Sequence, residues 1–96
     1  MKKYILAHDL GTSGNKATLF DTDGNLVKST VFSYGLITGE SNCAEQRADD
    51  WWKAVCETSR TLVGDINKKD IVAVSFSGQM MGCLCVDKSG KPLHPV

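Results

Sequence analysis

The residues best suited to chemistry form one run near the start of the chain, Asp9-Leu10-Gly11-Thr12-Ser13-Gly14-Asn15-Lys16. A carboxylate closing an apolar stretch, a glycine-rich turn with two hydroxyls and then a cation meet the needs of a magnesium nucleotide's phosphates. Glycines let backbone N–H groups approach phosphate oxygens closely, as an anion nest. Thr12 and Ser13 add hydroxyl donors, and Lys16 offsets phosphate charge. Asp9 suits Mg²⁺ held through water, because that ion gives up its hydration reluctantly. The same residues also suit a plain hairpin, with glycine in its turn and Asp9 as a local cap. No GxxxxGK[ST] pattern occurs and no helix follows directly, so this is not a Walker loop.

The elements that must position this run follow from periodicity. Tyr4 to Asp9 is a short apolar strand. From Asn15 the chain alternates, placing Ala17 and Leu19 on one face and Lys16, Thr18 and Phe20 on the other. Asp21-Thr22-Asp23-Gly24 is a hairpin signal, and a third strand is predicted from Asn25 to Tyr34. Residues 35–47 read as a surface loop. A helix is predicted from Ala48, with Asp49 and Asp50 favouring its dipole and Gly64 as its stop. Trp51, Val55 and Leu62 fall near one stripe of it, with Trp52, Cys56, Ser59 and Val63 beside. No Ser, Thr, Asp or Asn directly precedes Ala48, which leaves the N-cap poorly specified.

Ile71-Val72-Ala73-Val74-Ser75-Phe76 is β-branched and little polar, suiting a strand buried on both faces. Coming after a helix, it is expected to lie parallel to the first strand through a right-handed crossover. Ser77 to Gly82 turns the chain, Cys83 to Val86 is expected as another strand, and Lys88-Ser89-Gly90-Lys91 as a tight turn. The predicted order is β-β-β-α-β-β in one α/β domain.

Composition narrows the function classes. The chain has 96 residues, with 11 Lys and Arg against 11 Asp and Glu. Zero net charge with scattered cations argues against nucleic acid as a partner. No apolar run approaches the roughly 18 residues of a membrane span, and the start is too short in apolar residues for a signal peptide. The expectation is a cytoplasmic chain without a membrane partner. Cys43, Cys56, Cys83 and Cys85 form no CxxC pair and show no zinc spacing with His8 or His94, so ordinary reduced thiols are expected.

Three ordered segments resemble the FGGY carbohydrate kinases, relatives of actin, hexokinase and the heat-shock chaperones. Asp9 to Lys16 with Leu19-Phe20-Asp21 and Gly24 is similar to that family's first phosphate motif. Glu45-Gln46 before Trp51-Trp52 resembles its "EQ…WW" approach to the first helix, with Arg47-Ala48 where Asp-Pro is common. Ser77 to Gly82 resembles the "GQMHG" turn of xylulokinases, and Asp87 to Pro95 the segment after it. The resemblance covers essentially the whole chain and implies an incomplete ribonuclease-H-like, actin-like ATPase mixed sheet. A second domain would lie outside these residues.

By this resemblance, Asp9 coordinates Mg²⁺ and supports phosphoryl transfer, while Gly11, Thr12, Ser13 and Lys16 face the ATP phosphates. Gln79, Met80 and Met81 line the sugar pocket, Met81 standing where xylulokinases carry His. A thioether cannot donate the hydrogen bond that an imidazole can. The implied parent reaction is transfer of phosphate from ATP to a ketose, D-xylulose foremost, or to a polyol. No Asp here matches the family's catalytic base, so the chain alone is expected to be inactive, and its uncovered sheet edges to favour self-association. A non-catalytic nucleotide- or sugar-binding module of the same superfold is the competing class.

Plainer roles stand beside these. Met80 and Met81 suit core filling, Trp51 and Trp52 packing, and Asp49 and Asp50 the helix terminus. Glu45 suits a loop position, and His8 and His94 structural or solvated ones.

Overall fold

The structure is a computed structural model that describes residues 2–38, 44–80 and 82–96. Its frame is a four-stranded sheet. The strands are β1 (Tyr4–Leu10), β2 (Gly14–Asp21), β3 (Leu26–Ser33) and β6 (Ile71–Gly78), in the spatial order β3-β2-β1-β6. The first three are antiparallel neighbours, and β6 lies parallel to β1. Between them come β4 (Ile37–Thr38), β5 (Ala44–Glu45), the helix α1 (Ala48–Val63) and a short 3-10 turn, Lys68–Asp70. The three-strand meander and the parallel return after the helix are as the periodicity predicts.

Alternation along β1 and β2 sets which face is covered. Leu6 pairs with Leu19 and His8 with Ala17, and these side chains are buried. Leu6, Ala17 and Leu19 join Leu62 of α1 in one apolar cluster, edged by Tyr4, Val63, Ile66 and Ile71. The helix lies over β2 and β3 and barely reaches β1. It begins without a side-chain cap on Arg47, as expected, and carries Asp49 and Asp50 in its first turn. At its end Gly64 stays right-handed, with φ −59°. Glycine is needed there because a Cβ would stand 2.9 Å from the Arg60 carbonyl oxygen.

The β2–β3 hairpin closes through Asp21. Its Oδ1 accepts from the backbone N–H of Asp23 at 3.0 Å and of Asn25 at 2.9 Å, and Gly24 takes φ +90°. These bonds, the Asn25 N–H first, hold the Asp21 carboxyl below its usual range. The predicted turn after Asp87 is present also, with Gly90 at φ +85° and the Asp87 N–H donating to the Lys91 carbonyl at 2.9 Å.

Three expectations are corrected. Residues 35–47 are not only loop, since Ile37–Thr38 and Ala44–Glu45 pair as a small ladder. Cys83 to Val86 forms no strand; only Val86 bridges, to Pro92, because no neighbouring strand offers it a longer ladder. Finally, β6 is not buried on both faces. Val72, Val74 and Phe76 are 54%, 52% and 57% exposed; Val74 and Phe76 share the face of Leu6 and His8, but α1 covers β2 and β3 and does not extend across β1 to this edge strand.

Candidate functional site

The ends of β1 and β6 come together at one edge of the sheet, and the residues of interest gather there. Asp9 sits beside Lys16 of β2 and Ser77 of β6 in register, and the three share the face turned away from α1. The Ser77 hydroxyl donates to Asp9 Oδ1 at 3.3 Å. Among the described residues no ion pair within 4 Å joins Lys16 to Asp9. The face therefore presents an exposed carboxylate and an exposed ammonium separately. No trio of His, Cys, Asp or Glu able to hold a metal forms among the described residues. One exposed carboxylate fits a hydrated Mg²⁺, which keeps several waters and needs few protein ligands.

The turn after β1 differs from the nest expected of it. Neither Gly11 nor Gly14 takes positive φ, so the alternating handedness of a nest is missing. The Gly11 N–H is already bonded, to the carbonyls of Asp9 at 3.1 Å and Gly14 at 3.0 Å. Gly14 is required by packing, since a Cβ there would meet the Phe32 carbonyl oxygen at 2.8 Å. The exposed tip therefore offers Thr12 and Ser13. Tyr34 steadies it: its hydroxyl donates to the Gly11 carbonyl, and its N–H to the Ser13 carbonyl at 3.2 Å. Burial, then the Asp9 charge, raises the Tyr34 phenol above its ordinary pKa and keeps it a donor.

On the other side of this turn a cavity of about 590 Å³ opens between the strand ends and the start of α1. Thr12, Gln46, Trp51, Gln79 and Met80 line it, with leucines 10, 36 and 84. The Gln79 N–H donates to the Leu10 carbonyl at 2.8 Å, tying the turn after β6 to β1. Thr12, Gln79 and Met80 thus meet as the sequence suggests. Asp9, Gly11, Ser13 and Lys16 do not line this cavity. Met81 lies outside the described residues.

Sequence reasoning missed Gln46, Trp51, Tyr34 and Ser77 as site residues. The "EQ…WW" segment was the available signal for the first two. Ser77 opens the segment that resembles the "GQMHG" turn, whereas Tyr34 is an ordinary strand-end residue until the sheet forms.

Beneath the site, His8 is buried and stacked on Phe76, with ring centroids 5.1 Å apart. The Thr58 hydroxyl donates to the Ala54 carbonyl at 2.8 Å and so must accept from Asn15 Nδ2 at 3.1 Å. Asn15 Nδ2 also donates to His8 Nδ1 at 2.9 Å, which leaves the imidazole proton on Nε2, facing the Ser59 hydroxyl at 3.3 Å. Desolvation lowers the His8 pKa below 6.5 and keeps the ring neutral.

With a phosphate-type turn and a polar-edged cavity meeting at Thr12, comparison with known proteins decides the family. Residues 4–96 match the model of the FGGY family of carbohydrate kinases, N-terminal domain. The chain belongs to the FGGY carbohydrate kinases. It is 34% identical over 95 residues to a gluconokinase of Bacillus subtilis and 30% identical over 92 residues to a xylulose kinase of Staphylococcus xylosus. Those matches cover 99% and 96% of this chain. A crystal structure of gluconate kinase from Lactobacillus acidophilus superposes with a TM-score of 0.91 at 32% identity, covering 99% of this chain. The FGGY chain described here spans about one fifth of each relative: 18% and 19% of the two sequences and 19% of the gluconate kinase structure. Its mixed sheet with one helix is that of the actin-like sugar kinases. Among the described residues no helix is long and apolar enough to cross a membrane.

Proposed function

We propose that this chain is the N-terminal part of a cytoplasmic, ATP-dependent kinase that phosphorylates a neutral ketose, D-xylulose foremost, or a polyol. The observation that carries the reading is the cavity. Among the described residues its lining contains no Lys, Arg or His, so a sugar hydroxyl finds amides and a threonine there, whereas an aldonate carboxylate finds no cation. Thr12 belongs both to this lining and to the phosphate-type turn, which suits an acceptor hydroxyl held beside a nucleotide.

In this reading Asp9 holds Mg²⁺ through water, with Ser77 orienting its carboxylate. The ion, when bound, offsets charge on the phosphate oxygens. Thr12 and Ser13 donate to those oxygens, Lys16 supplies a nearby charge, and Gly11 keeps the turn tight by its own bonds. Gln79, Met80 and Met81 contact the sugar. The residues described here contain no carboxylate placed as the base for the acceptor hydroxyl, and a second domain is part of the proposal. Positioning and electrostatic stabilisation around the γ-phosphoryl group need both halves of a cleft, so the chain alone should not turn over.

The test is ADP release with Mg-ATP against ketoses, polyols and gluconate. It would be run on this chain and on the polypeptide extended through its uninterrupted reading frame. Turnover with a neutral sugar, in the extended form only, is the expected result. A preference for gluconate would reverse the substrate class. Nucleotide binding without turnover on any acceptor would favour a binding module.

A further inference from the structure

Gln46 lies between β5 and α1 and is 4% exposed. Its backbone is pinned at both ends, the N–H donating to the Val96 carbonyl and the carbonyl accepting from the Val96 N–H, each at 2.7 Å. Its side-chain amide touches three other segments: the Thr12 carbonyl, the Trp51 indole Nε1 at 3.1 Å and Gln79 Nε2 at 2.6 Å.

The chemistry of these partners leaves one arrangement. An indole N–H only donates, so the atom facing Trp51 is the Gln46 oxygen; a peptide carbonyl only accepts, so the atom facing Thr12 is the Gln46 NH₂. Gln79 must then approach that same oxygen with its own NH₂. The Gln79 carbonyl oxygen is thereby left as the acceptor on a residue that lines the cavity. An alternative amide orientation at either glutamine would set like groups against each other in a half-buried site.

We propose that Gln46 is a positioning residue that couples the two halves of the site. Through Thr12 it holds the phosphate-type turn, and through Gln79 it turns an acceptor toward a sugar hydroxyl. The identity of the two ligands rests on the kinase reading; the coupling itself rests on the hydrogen bonds.

Gln46→Glu separates the two arms, because a carboxylate still accepts from Trp51 and Gln79 but cannot donate to Thr12. The experiment is amide and indole NMR on the 96-residue chain and its Q46E, Q46A and W51F variants, followed by titration with Mg-ADP and with D-xylulose. In Q46E the Thr12 and Ser13 amides should shift, while the Trp51 indole N–H and the Gln79 side-chain amide stay protected from exchange. Mg-ADP should bind about tenfold more weakly, the order of one lost hydrogen bond, and D-xylulose within about threefold of the parent chain. Q46A should release both arms. W51F, which keeps an aromatic ring should Q46E fail to fold, should move Gln79 more than Thr12. Unchanged Thr12 and Gln79 resonances in Q46A, or equal losses for both ligands in Q46E, would overturn the coupling. If neither ligand binds the parent chain, the same titrations on the polypeptide extended through its reading frame decide the kinase reading, while the resonance shifts still decide the role of Gln46.

Discussion

The β2 side and the β6 side of one sheet face carry much the same apolar chemistry and meet very different fates. In β2, Ala17 and Leu19 are sealed under α1 with no exposure, whereas in β6, Val72, Val74 and Phe76 keep more than half of theirs. The Cα radius of gyration, 15.5 Å, exceeds the roughly 12–13 Å of a compact domain of this length. Apolar alternation states that a face can be buried. It does not state that the cover lies within the same 96 residues.

The largest expected effect separates these sides by stability. Leu19→Ala should cost about 2–5 kcal/mol, as a buried leucine leaving a cavity does. Val74→Ala, on the open side, should cost well under about 1 kcal/mol, since little area leaves water there. Urea unfolding followed by circular dichroism measures both. Similar losses at the two positions would mean that β6 is covered in solution.

What covers β6 in the isolated chain is the next question. An eight-residue edge strand with exposed apolar side chains invites pairing with another copy. Light scattering should show concentration-dependent association, and Val74→Lys should reduce it with little change in monomer stability. A monomer at all concentrations would remove this expectation.

His8 sits at the border between the sides, and its titration reports the covered one. Its folded pKa lies below 6.5, so the unfolded chain binds the extra proton first. The stability this adds is complete above about pH 6.5 and declines as pH falls from there toward the folded pKa. The urea midpoint should therefore drop between pH 7.5 and 5.5, and His8→Gln should flatten that slope. An unchanged slope would assign it to other groups.

The smallest effect belongs to the open side again. Cys83 and Cys85 are exposed and free, so Cys83→Ser and Cys85→Ser should each stay within about 0.5 kcal/mol of the parent.

Much of the frame was legible because it depends on local rules. Alternation from Asn15 marked β2, Asp-Gly marked its hairpin, and the helix from Ala48 stood out by its acidic start and apolar stripe. The Cys83–Val86 segment looked equally strand-like and is not one, because a strand needs a partner along its length and that segment has one bridge. In the site, Thr12, Gln79 and Met80 were legible as motif members that do converge. Gln46 and Tyr34 were not, since each acts through bonds to residues more than twenty positions away.

The amino-acid sequence by itself determined the order of the four sheet strands and the helix, the face of each early strand that turns inward, and the turn residues that permit the hairpins. These follow from backbone sterics and from a side-chain period read over a few residues. Only the tertiary structure decided that β6 stands open and that Gly14 is glycine for want of room beside Phe32. It likewise decided that one buried glutamine joins the turn after β1 to the turn after β6. Each of these depends on which distant segment lies within a few ångströms, and that is settled only when the whole sheet and its helix are in place.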